Sequence, residues 1–167
     1  SSSAQLKDQY GHNAVHAGYY EGRQFLADRA GSLLVMGLRR VTYSGGEKTN
    51  VGLSYAVIDL AGKKLLGPGD FLAAGWEERL PALLEKSARA SLGVAAGVPL
   101  SQAGFSGDEI APNGDFFVYS GGLGFHYAAG EIADAALGDL SIAVPLADLG
   151  GLLSPGAAAR LAGGKGR

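Results

Sequence analysis

Residues 116–153 read FFVYSGGLGFHYAAGEIADAALGDLSIAVPLADLGGLL, and the way this stretch folds decides the rest. FFVYS and LGFHYA are short aromatic and aliphatic runs separated by Gly121 and Gly122. Such runs fit strands, and a glycine pair is expected to supply the positive φ values of a tight hairpin turn. AAGEIADAALG then reads as an irregular or single-turn crossover, DLSIAVPL as a last strand and LADLGGLLS as a short helix. GGLGFHYAAG lies between two strands and opens no helix, so it is not a dinucleotide-binding turn.

Upstream, SLLVMGLRRVTYS (32–44) and NVGLSYAVIDL (50–60) have the same character, the second alternating through Val51, Leu53, Tyr55 and Val57. They predict an antiparallel pair joined by GGEKT. AGKK makes a tight turn, and LLGPGDFL is a Pro/Gly connection ending in an apolar pair. In WEERLPALLEKSARASLG (76–93), Trp76, Leu80, Leu83, Leu84, Ser87 and Leu92 follow the helical period, and Gly93 stands where a C-terminal cap belongs. Pro81 is tolerated in a first helical turn, so this helix is expected to begin just before it. Asn13 predicts the cap of another helix, running to about Arg29 with Val15, Tyr19, Leu26 and Ala30 near one face and Gly31 as its stop. Residues 94–114, with closely spaced Gly, Pro, Ser and Asn, read as a long loop.

These elements predict one α+β domain over residues 14–153. It is an antiparallel sheet of two hairpin units (32–60 and 115–144), with the helix after Pro81 packed on one face through Leu83, Leu84 and Leu92. Residues 1–13 are expected to be a flexible N-terminus and 154–167 a loose tail.

Composition sets the outer bounds. A chain of 167 residues, 47% hydrophobic and 18% charged, fits one folded domain and carries no run long enough for a membrane helix. The absence of cysteine excludes disulfides, thiol catalysis and Cys-ligated metal, and leaves the compartment open. The start at Ser1 with SSSAQ fits a processed or trimmed product, with a signal peptide or lipid-attachment residue expected upstream. The net charge of −2 is uneven. Residues 90–159 contain no Lys or Arg and seven acidic residues: Asp108, Glu109, Asp115, Glu131, Asp134, Asp139 and Asp148. Such a segment repels nucleic acid and favours a basic partner where the charges share a face; scattered solvated loop charges are the plainer alternative.

The order of TYSGGEKTNVGLSYAVIDLAGKKLLGPGDFL, an amphipathic helix and FFVYSGGLGFHYAAGEIADAALGDLSIAVPLADL resembles the C-terminal domain of the anti-sigma factor RsiV. That domain type also occurs in the peptidoglycan deacetylase PdaC and in a secreted mycobacterial antigen, and its function is largely unknown. Tyr43, Gly45, Gly46, Asp59, Gly62, Lys63, Glu131, Ile132, Ala133 and Gly138 match its pattern. Glu47 and Lys48 stand in place of its Ala-His, Gly130 in place of a Tyr, and Asp134 and Ala135 in place of Pro-Tyr. The resemblance implies an exported domain, periplasmic or extracellular, that binds, either sensing lysozyme or accompanying an enzyme, and it implies no catalytic machinery; a lipid anchor upstream is one alternative, beside a membrane span or a deacetylase domain. Its model partner is a lysozyme-like basic protein.

Motifs for chemistry are thin. His12 and His16 stand in HNAVH, without the glutamate of a zinc-protease helix, so no metal or cofactor is expected. GGEKT lacks the phosphate-loop order, and Ser44, Ser54 and Ser120 lack a nucleophile elbow. The expected binding residues are Glu131, Asp134, Asp139, His126, Tyr127 and Tyr119. If Phe125 and Tyr127 face the core, strand alternation turns His126 outward, toward solvent or a partner. Glu131 either offers its carboxylate to a basic partner or ties free backbone N–H groups of the crossover. Three readings remain open: a protein-binding module of the cell envelope, an accessory domain holding peptidoglycan glycan on aromatic residues, and a free-standing enzyme.

Overall fold

The computed structural model describes residues 19–30, 32–43 and 49–162. In chain order they form β1 (Tyr19–Ala30), β2 (Leu33–Tyr43), β3 (Asn50–Asp59), β4 (Lys64–Leu66), α1 (Trp76–Leu92), β5 (Phe116–Tyr119), β6 (Gly122–Tyr127), β7 (Leu140–Pro145), α2 (Leu146–Leu149) and α3 (Ala157–Ala162). The fold is α+β. The two predicted hairpin units are both antiparallel, but they stand in two sheets rather than one: a four-stranded sheet β1-β2-β3-β4 and a three-stranded sheet β5-β6-β7.

The helix expected from Asn13 to Arg29 is corrected where it can be followed: residues 19–30 are a strand, paired with β2 from Tyr19↔Tyr43 to Ala30↔Leu33 with a bulge between Leu26 and Asp28. Gly22 opposes Arg40 in that ladder. Glycine costs a helix about 1 kcal/mol relative to alanine, and the long pairing with β2 decides the conformation. Residues 13–18, residues 45–48 of the GGEKT turn and the histidines at 12 and 16 lie outside the described residues.

Burial falls along the first hairpin. Leu33, Val35 and Val57 are in the core, Tyr55 is half-buried, and Val51, near the far end of β3, is exposed. Asp59 turns the chain from β3 into β4 by accepting hydrogen bonds from the N–H groups of Ala61 (3.0 Å) and Gly62 (3.2 Å).

Helix α1 begins at Trp76, more than a turn before Pro81, so the proline lies inside it. Gly93, at φ 67°, closes it as expected. Leu80, Leu84, Ser87 and Ala88 are its buried residues, Leu83 is half-buried, and Leu92 is exposed rather than packed. The helix lies over β7 and the turn at Gly150–Leu152. Within the predicted long loop, Leu100–Ala103 forms a 3-10 turn, and Leu100, Phe105 and Ile110 are buried.

Residues 154–162 are not a loose tail. Ala157 and Leu161 of α3 are buried in the core, and the Arg160 guanidinium lies 5.3 Å from the centre of the Phe71 ring and 3.1 Å from Asp59 Oδ2. Residues 163–167 are outside the described set.

Candidate functional site

The second hairpin turns through Ser120 and Gly121, with Tyr119 opposite Gly122. Of the glycine pair, Gly122 alone has a positive φ (158°), and a β-carbon there would run into the carbonyl oxygen of Val144. One residue further along this face, a β-carbon at Gly124 would stand 2.5 Å from the Phe117 ring. The glycines thus make room for aromatic rings from β5 to lie across β6.

Every residue of β6 is buried. Phe125 and Tyr127 face the core, but the opposite face is covered as well, because Tyr55 from the other sheet packs edge-on against His126 at 5.8 Å and lies 5.1 Å from Phe117. His126 is only 2% exposed, so the outward histidine expected from strand alternation is corrected. Alternation separates two faces; it does not make either of them wet.

His126 is set among carboxylates. Its Nδ1 lies 3.0 Å from Asp115 Oδ2, and its Nε2 lies 3.4 Å from Asp139 Oδ2 at an ion-pair distance but without hydrogen-bond geometry. Asp115 also accepts the Tyr55 backbone N–H through Oδ1 at 2.6 Å, beyond the point where β4 stops pairing with β3. One carboxylate therefore joins the two sheets and orients the imidazole.

The crossover between β6 and β7 is fixed by its own acids. Glu131 Oε2 accepts the Ala128 N–H at 2.9 Å, and its Oε1 accepts from Asn113 Nδ2 at 2.8 Å. The same Asn113 amide donates to the His126 carbonyl at 2.7 Å. Asp139 Oδ1 accepts the Ala129 N–H at 3.0 Å, and Asp134 Oδ1 accepts the Ala136 N–H at 2.8 Å, capping the 3-10 turn at Ala135–Leu137. Glu131 thus fixes the loop through these bonds while its residue remains exposed.

The expected site residues therefore divide. Glu131, Asp139 and His126 gather at one corner. Asp134 is exposed on the crossover. Tyr127 is buried to 1% exposure, with its hydroxyl donating to the Ala111 carbonyl at 2.9 Å, so its ring offers no surface to a partner. Burial, and next the nearby Glu131 charge, push its phenol well above the ordinary tyrosine range. Tyr119 stands at the far end of the hairpin, half-buried, 6.4 Å from Phe117, and burial raises its phenol too. Asp108 belongs to another turn, where it binds the Ser101 N–H and hydroxyl, and Asp148 pairs with Lys86 of α1 at 2.6 Å.

Asp115, Asn113 and Tyr55 are the members of this corner that the sequence reading did not single out. No grouping of three or more metal-ligating side chains occurs among the described residues. Two surface grooves, about 580 Å³ beside Glu85 and Arg89 of α1 and about 270 Å³ over Met36, Leu38 and Ala56, are lined by other residues.

No family model and no curated protein matches the chain. Solved structures share its fold, two DUF3298 family proteins among them. One is a DUF3298 family member from Bacteroides fragilis, similar with a TM-score of 0.80 and 23% identity over 96% of this chain and 64% of that one. The other is a DUF3298 family protein from Pseudomonas aeruginosa, with a TM-score of 0.70 and 18% identity over 93% of this chain and 69% of that one. The chain thus spans slightly less than two thirds of the Bacteroides protein, and what it shares with both is the architecture described above.

Proposed function

We propose that this is a non-catalytic binding domain of the cell envelope, exported to the periplasm or beyond, whose acidic crossover receives a basic protein of the lysozyme kind. The observation that carries this reading is the crossover itself. Glu131, Asp134 and Asp139 are exposed on a segment tied down by its own hydrogen bonds, in a stretch of seventy residues (90–159) with no Lys or Arg. Charges held in place on one surface steer a partner of opposite sign and raise its rate of association. The likeness in fold to DUF3298 proteins and the sequence resemblance to the RsiV C-terminal domain support it further.

The test is association with a lysozyme followed by stopped flow as salt rises. The on-rate should fall steeply as the Debye length shrinks to about 8 Å at physiological ionic strength. Asp134→Asn removes one crossover charge while Asn keeps the capping oxygen, and should lower the on-rate and flatten its salt dependence. No binding at low salt would overturn the lysozyme reading. Binding that persists undiminished at high salt would favour the second reading, glycan held on the half-buried row of Tyr55, Phe117 and Tyr119.

A further inference from the structure

Among the described residues, the charged side chains that face the His126 ring are carboxylates. Asp115 and Asp139 face its two nitrogens, and Glu131 reaches the same corner through Asn113. Among the described residues, a further titratable neighbour is Tyr55, whose phenol is raised by burial and by Asp115 and so stays neutral. A neutral imidazole that gives its one N–H to Asp115 turns a bare lone pair on Nε2 toward the Asp139 carboxylate, so that two acceptors meet at 3.4 Å. An imidazole protonated on both nitrogens presents a donor to each carboxylate. Among the described residues Nε2 has no hydrogen-bond partner, so the proton decides whether its contact with Asp139 attracts or repels.

The two carboxylates lead to different parts of the molecule. Asp115 is anchored to β3 through the Tyr55 N–H, whereas Asp139 holds the start of the crossover through the Ala129 N–H. We infer that proton uptake by His126 and docking of the crossover through Asp139 are one coupled event, so that the exposed acidic segment is held in place by a proton. The consequence for partner binding rests on the function proposed above; the coupling itself does not. On the alkaline side, loss of the His126 proton turns the contact from attraction to repulsion and loosens the crossover. On the acid side, protonation of Asp139 removes the other half of the pair.

The coupling is read by NMR titration of the intact, ¹⁵N-labelled chain without any partner. The ring nitrogens of His126 and the amides of Ala129, Glu131 and Asp139 should move with a single midpoint. In Asp139→Asn the ring should bind its proton about tenfold more weakly, the effect of removing one adjacent opposite charge, and the crossover amides should cease to follow it. Crossover amides that stay fixed while the wild-type ring titrates would overturn the inference, as would an unchanged midpoint in Asp139→Asn. Should that variant not fold, the wild-type titration decides alone. Because no partner is present, failure here leaves the binding proposal standing, and failure to bind lysozyme leaves the coupling standing.

Discussion

Tyr127 shows how much one side chain in this fold depends on being dry. Its ring fills the core, its hydroxyl satisfies the Ala111 carbonyl, and its phenol is held protonated by burial. An unfolded chain releases that proton at about pH 10, while the folded chain retains it. Above about pH 10 the unfolded state therefore binds fewer protons, and stability must fall as pH rises. Tyr127→Phe should lose about 1–2 kcal/mol at neutral pH, by leaving the Ala111 carbonyl without its donor, and should show a shallower decline in urea midpoint above pH 10. An equally steep decline would assign the alkaline sensitivity to other groups. The burial of His126 was not legible in the chain, because its cover, Tyr55, lies in another sheet. The linking role of Asp115 is hidden for the same reason: its partners are 11 and 60 residues away, and a carboxylate in a polar loop carries no local mark of either.

Elements that bury one face against a near neighbour were readable, and those decided at a distance were not. The second hairpin, the last strand and the helix with its Gly93 cap follow from local pattern and turn chemistry. Strand β1 does not, since YYEGRQFLADRA spaces its apolar residues closely enough to suggest a helix, and only pairing with β2 makes it a strand. The helical period gives α1 in kind but not its inner face: Leu80 and Leu84 are fully buried, and Leu92 is 46% exposed. Leu84→Ala should accordingly cost about 2–5 kcal/mol in urea unfolding, and Leu92→Ala no more than about 0.5 kcal/mol. Equal losses for the two would mean that the helix is rotated from the orientation described.

The described residues form two small sheets that share a core, and Asp115 makes a polar link between them. Asp115→Ala removes the acceptor of the Tyr55 N–H and the partner of His126 Nδ1 together. The expected loss is about 2–4 kcal/mol with an unchanged denaturant slope, because both donors are left unanswered in a partly dry site. A loss below about 0.5 kcal/mol would mean that apolar packing alone joins the sheets. Division into two sheets could not be read from the chain, since each hairpin looks the same whether it extends its neighbour or packs across it.

The segment around Leu72 bears on how the chain is made. Leu72 bridges to Leu153, the Ala73 N–H donates to the Leu152 carbonyl, and the Ser154 N–H donates to the Phe71 carbonyl. The fully buried Phe71 also lies under Arg160. Contacts so far apart in sequence form late, after loop closure has been met by the rest of the fold. During synthesis Phe71 and Leu72 therefore leave the ribosome long before the residues that cover them, and a nascent chain halted short of residue 152 keeps an apolar surface open to chaperones. Cooperative folding waits until the 152–161 segment has cleared the exit tunnel.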